Sequence, residues 1–163
     1  MKTTLFIIMV LFFFPGYSNP VPVLLSPQDQ DTAKKEISAV VKLINQNLEK
    51  MDVEALFQSY SDSSDFFTTD GSMINLQVFK NHNAAWFNSL ATLKVTTFSE
   101  YYRFLPGNTV ICSWIGKFEM KLKSGEQLKN NKFGITYIFR KIDNKWKVIH
   151  QHASALPPTR VKE

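Results

Sequence analysis

Apolar positions along the 163-residue chain change their spacing near residue 92, from every third or fourth position to every second. Before that point, Ile37, Val40, Val41, Ile44, Leu48 and Met51 recur at helical spacing and make one apolar face. Ser26 can cap this segment, Pro27 suits the first helical position, and Asp29 falls in the first turn, where the helix dipole favours a carboxylate. The pattern predicts a helix from Pro27 to about residue 50. Asp52 is a second cap, and Val53, Leu56, Phe57 and Tyr60 predict a short helix ended by Ser61-Asp62-Ser63-Ser64. Phe66 to Thr69 read as a strand, Asp70-Gly71 as a turn, and Asn75 to Leu90 as a third helix with Phe79, Trp86, Phe87 and Leu90 among its apolar positions.

Beyond residue 92 the period is two. Strands are predicted over 93–104, 109–122, 127–140 and 145–155, closed in turn by Pro106-Gly107-Asn108, Ser124-Gly125, Asp143-Asn144 and Pro157-Pro158. In the second of these, Val110, Cys112, Trp114, Gly116, Phe118, Met120 and Leu122 fall on one face, and a mid-strand Gly116 marks a bulge or bend. Helices come first and strands after, so the class is α+β rather than α/β.

The first 18 residues stand outside this pattern. Lys2 precedes an unbroken apolar run, Leu5 to Phe14, which is too short to span a membrane, and Pro15-Gly16 ends it. Gly16 and Ser18 are small residues suited to cleavage after Ser18. The division expected is therefore a signal peptide at 1–18, an extended lead-in at 19–28, one domain at 29–156 and a tail at 157–163. The mature product would be exported, periplasmic or secreted, with no membrane span.

Composition narrows the classes further. At 44% apolar and 20% charged, the chain can bury a core, which excludes wholesale disorder. The single Cys112 excludes an internal disulfide framework. The net charge of +5 is scattered rather than striped, so no nucleic-acid partner is expected. No phosphate loop or nucleophile elbow is present.

The last strand carries a resemblance. Asn144-Lys145-Trp146-Lys147-Val148-Ile149-His150-Gln151-His152-Ala153-Ser154 resembles the terminal strand of SnoaL-like proteins in the NTF2-like superfamily. Asp52 to Leu56 and on through Asp70-Gly71 resemble that family's second helix and first strand. The resemblance implies a cone-shaped barrel, three N-terminal helices packed on a strongly curved, mainly antiparallel sheet, a pocket at the wide end, and homodimers joined through the sheet. Its members range from isomerases, cyclases and dehydratases to non-catalytic modules, so fold alone does not fix function.

On a regular strand, His150 and His152 share one face with Trp146, Val148 and Ser154. His152 is then a candidate general base in the pocket wall, and His150 a binding residue. Asp70 is the second catalytic candidate, because in the ketosteroid isomerases that resemble this chain an Asp near this place abstracts a proton. Asp70-Gly71 is equally a plain turn signal, and the isomerases' second acid has no match here. Tyr60, Trp86, Tyr102, Trp114 and Phe118 are candidate ligand-lining aromatics, with simple core packing as the alternative. Trp146 is expected to anchor the last strand. With His82 the chain has three histidines, the right ligand number for zinc, but His82 is distant in sequence from the other two and no carboxylate is clearly placed, so neither metal nor cofactor is expected. The leading expectation is an exported protein holding a small, mainly apolar molecule in its cone. The first alternative is an enzyme using His152 and Asp70, and the second a non-catalytic dimeric module.

Overall fold

The computed structural model describes residues 23–161. The expected signal peptide lies outside the described residues, as do residues 19–22 of the lead-in, and the last two lead-in residues, Pro27 and Gln28, already belong to the first helix. Ten elements follow in order: α1 (Pro27–Lys50), α2 (Val53–Phe57), β1 (Tyr60–Phe67), β2 (Met73–Asn75), α3 (Leu76–Ser89), β3 (Leu90–Leu105), β4 (Thr109–Leu122), β5 (Gln127–Ile142), β6 (Lys145–Ala155) and β7 (Thr159–Arg160). The strands form one mixed sheet in the order β2-β1-β6-β5-β4-β3, with β7 added beside β5. Among the described residues only the β1–β6 pairing is parallel. The architecture is α+β, with helices on the sheet. Because β2 and β3 end the strand order without pairing, the sheet is open and not a closed barrel.

Local chemistry explains where the helices start. Ser26 accepts the Asp29 N–H, Asp52 accepts that of Ala55 and Asn75 accepts that of Val78, so each helix has its cap. Met51, in the left-handed region at φ 56°, ends α1 and lets its N–H reach back to Leu48. The inward face of α1 (Ala33, Ile37, Val41, Ile44, Leu48) is buried, and each of its larger side chains contributes about 1.5–3 kcal/mol. The second helix is shorter than expected. Tyr60 and the serine-rich stretch after it belong to β1, since the chain there is drawn into parallel pairing with β6. Tertiary pairing overrides the local turn signal.

Strand β4 follows the expected alternation, with Val110, Cys112, Trp114 and Phe118 all buried. Gly116 sits where β3 and β4 bend. Its pairings are followed by register shifts on both sides, and a Cβ there would lie 2.3 Å from the Thr96 carbonyl oxygen and 2.4 Å from the Trp114 ring. Only glycine fits that approach.

Strand β6 departs from regularity. Val148 pairs with Phe139, but His150 pairs with Ile138, so Ile149 is an extra residue and the strand carries a bulge. The phase of the strand changes there. Trp146 and Val148 face inward before the bulge, and Gln151 and Ala153 do so after it. Ser64 steadies the spot by donating to the Val148 carbonyl at 2.7 Å.

Trp146 anchors β6 to α1. It is 6% exposed, and its indole N–H donates to the Glu36 carboxylate at 2.7 Å. That bond, aided by Lys141, holds the Glu36 carboxyl below its ordinary range. Trp146→Ala is expected to cost about 3–5 kcal/mol. That is a large part of the roughly 5–15 kcal/mol typical of a domain. Urea titration measures it, and a loss below about 1 kcal/mol would contradict the anchoring role.

Candidate ligand cavity

Between the helices and the inner face of the sheet lies an open cavity of about 540 Å³. Its helical wall is Ile44 and Leu48 from α1, Leu56 from α2, and Phe79, Asn83 and Trp86 from α3. Its sheet wall takes Tyr60 and Phe66 from β1, Phe118 and Met120 from β4, Phe133, Ile135 and Tyr137 from β5, and Gln151, Ala153 and Ala155 from β6. The mouth is marked by Thr69, His82 and the segment Leu156–Pro158, whose residues are exposed. Asn130 fixes that segment through a 2.6 Å bond to the Leu156 carbonyl, and β7 then pairs with β5.

The aromatic rings form two groups. Phe66 and Phe79 stack with centroids 4.2 Å apart, beside Phe57 and Tyr60. Across the cavity Phe118 meets Phe133 edge-on at 4.8 Å. Offset and edge-to-face pairs of this kind hold rings in fixed positions. Among the described residues no Lys, Arg, Asp or Glu lines the cavity.

Buried polar groups line the floor. The Tyr60 hydroxyl donates to Gln151 Oε1 at 2.7 Å, and the buried Tyr137 lies beside them in the same wall. Burial pushes both phenols well above their ordinary values, so they stay protonated at neutral pH and act as hydrogen-bond donors, not bases.

The structure separates the residues singled out from sequence. Tyr60, Trp86 and Phe118 line the cavity. Trp114 does not; its fully buried ring packs in the core, and its indole N–H donates to Thr97 at 2.9 Å. Tyr102 does not either; its hydroxyl donates to Glu100, close to the buried Cys112, whose thiol burial pushes up to about 12. The two catalytic candidates fail to meet. The bulge at Ile149 turns His150 and His152 to the outer face of the sheet. There His150 pairs with Asp65, and the exposed His152 packs edge-on against Phe67 at 5.0 Å. Asp70 is exposed in the turn after β1 and accepts bonds from the Thr68 hydroxyl and the Ser72 N–H. Those bonds, the Thr68 hydroxyl first, lower its pKa, whereas proton abstraction from carbon requires a raised one. Of the three histidines only His82 reaches the cavity, at its rim, and no group of three or more His, Cys, Asp or Glu converges among the described residues.

The sequence reading passed over Gln151, Asn83 and Tyr137. Tyr137 was detectable, since Phe133, Ile135, Tyr137 and Phe139 alternate along β5. Gln151 was not, because its inward aim depends on the bulge. His152→Ala and Asp70→Ala both change exposed side chains on the outer sheet or in the turn, and neither is expected to disturb the cavity. They should leave binding of an apolar dye in the cavity unchanged, and a fluorescence titration that loses the dye in either variant would return that residue to the site.

Several solved structures share the fold. A candidate scytalone dehydratase from Novosphingobium aromaticivorans superposes with a TM-score of 0.76 at 8% identity, over 85% of this chain and 93% of that one. The hexachlorocyclohexane dehydrochlorinase LinA-type3 from Novosphingobium barchaimii gives 0.71 at 11% identity, over 83% and 94%. An NTF2-like superfamily protein from Salmonella enterica serovar Typhimurium gives 0.68 at 17% identity, over 82% and 98%. At these identities the likeness is one of fold. Comparison with curated proteins gives no match. The sequence model of the SnoaL-like domain matches residues 37–158, three quarters of the chain and nearly every element described above. The chain belongs to the SnoaL-like domain family.

Proposed function

We propose that this protein is an exported SnoaL-like domain that binds a small, mainly apolar molecule in its cone. The observation that carries the reading is the 540 Å³ cavity, walled by aromatic and aliphatic side chains and free of charged ones. Its size and composition fit a small-molecule site, which is concave, apolar and furnished with a few polar groups. Catalysis is the weaker reading. The dehydratase and dehydrochlorinase among the fold relatives make acid–base chemistry conceivable, yet His152 and Asp70 face away from the cavity. His82 stands at the rim with no carboxylate among the lining residues.

Export and dimerisation belong to the same proposal. Export is supported by the apolar run Leu5 to Phe14 and the small residues before position 19. Dimerisation through the sheet is supported by Phe98 and Tyr101 on β3, which are 56% and 62% exposed. Protein recovered from the periplasm or medium should begin at Asn19 by intact mass and sediment as two chains. An uncleaved chain, or a single-chain mass, would contradict the corresponding half.

Binding itself is tested with N-phenyl-1-naphthylamine, an uncharged dye that brightens in apolar surroundings. Wild type should bind it one to one. Ala153→Trp projects an indole into the cavity and should weaken binding at least tenfold while the protein keeps its cooperative melt. Equal dye affinity in the two proteins would place the dye elsewhere and overturn the reading.

A further inference from the structure

Two amide side chains in the cavity wall, Gln151 and Asn83, have an open hydrogen-bonding half. Gln151 is 6% exposed and lines the floor. The Tyr60 hydroxyl donates its single proton to Gln151 Oε1 at 2.7 Å. This bond fixes the amide's orientation: the carbonyl faces Tyr60, and Nε2 points away from it. Among the described residues Nε2 has no partner, and it is not sealed from solvent, since the single sealed and unpartnered side-chain atom is Asn45 Oδ1. Its two N–H groups therefore open into the cavity.

Asn83, 8% exposed, is the mirror case. Its Nδ2 donates to the Phe79 carbonyl at 2.8 Å, which fixes that end as the donor and leaves Oδ1 as an open acceptor. The third amide of the wall, Asn130, is satisfied at both ends by the Leu156 carbonyl and the Lys132 N–H. Among the buried amides of the wall, there is thus one free donor group and one free acceptor. Buried amides are costly when unmatched, so this pair defines what fits. A carboxylate or ammonium would lose its hydration and find no opposite charge.

We propose that Gln151 and Asn83 are the ligand's two polar anchors, selecting an uncharged ring molecule whose carbonyl accepts from Gln151 Nε2 and whose hydroxyl donates to Asn83 Oδ1. The proposal rests on the reading that the cone holds a ligand. Neither residue carries acid–base chemistry; each sets specificity, and each follows from the local geometry of its own element. The bulge of β6 aims Gln151, and the helical bond to Phe79 aims Asn83.

Isothermal titration of the full protein with tetralin, 1-tetralone, 5-hydroxy-1-tetralone and 1-naphthoate tests it, with N-phenyl-1-naphthylamine binding as the reference. In wild type 1-tetralone should bind about tenfold tighter than tetralin, 5-hydroxy-1-tetralone tighter again, and 1-naphthoate more weakly than 1-tetralone. Gln151→Met should abolish the preference for the ketone, and Asn83→Leu should abolish only the gain from the hydroxyl. Tyr60→Phe, which removes the bond that fixes the Gln151 amide, should weaken the ketone preference while leaving dye binding and the gain from the hydroxyl in place. If Gln151→Met fails to fold, the Asn83→Leu and Tyr60→Phe results decide. A ketone preference that survives Gln151→Met, a hydroxyl gain that survives Asn83→Leu, or 1-naphthoate binding as tightly as 1-tetralone would overturn the proposal. Dye binding without any ketone preference sinks the anchors alone, whereas absence of dye binding sinks the cavity reading with them.

Discussion

One inserted residue decides what the cavity contains. A strand has a period of two, so a single extra residue exchanges its faces. Strand β6 has that residue at Ile149, between the Val148–Phe139 and His150–Ile138 pairings. Upstream of it, Trp146 and Val148 serve the core; downstream, Gln151, Ala153 and Ala155 serve the cavity. Without the insertion, His150, His152 and Ser154 would face inward and Gln151 would lie outside. The imidazoles of this strand are on the outer sheet because of backbone register, not because of any property of histidine.

Core and cavity divide the interior along the same strands. Near one end, Trp146, Val148, Phe139, Val110 and the α1 residues Ile37 and Val41 fill the space, and all are buried. Further along, Ala153 and Ala155 replace large residues on β6, and the helices stand off enough to leave space. Gly116 lets β4 bend beneath Thr96 where any side chain would collide, and that bend carries Phe118 into the cavity wall. The stability needed to keep the space open therefore comes from the filled end, where α1 is clamped through Trp146 and Glu36.

Much of this was legible in the sequence. Helix caps at Ser26, Asp52 and Asn75 and the alternation along β4 and β5 follow from local rules, so the α+β class and most element bounds could be read directly. The family could be read from the strand beginning Asn144-Lys145-Trp146. The parallel pairing of β1 with β6 could not, since it joins residues about 85 positions apart and converts a serine-rich stretch into strand. The cavity lining was read in part. Tyr60, Trp86 and Phe118 were found because apolar periodicity points inward. Trp114 and Tyr102 show the same periodicity but sit where the interior is filled or reach Glu100 instead. Asp70 followed a local turn signal, and the turn is its role.

The central claim is that the space enclosed by α3 and the inner sheet receives a small uncharged molecule. The most direct measurement is an isotope-filtered nuclear Overhauser spectrum of the labelled protein with bound N-phenyl-1-naphthylamine. The account predicts cross-peaks from the dye to the Trp86 indole, the Phe118 ring and the Ala153 methyl. Cross-peaks confined to Phe98, Tyr101 and His152 on the outer face would contradict it.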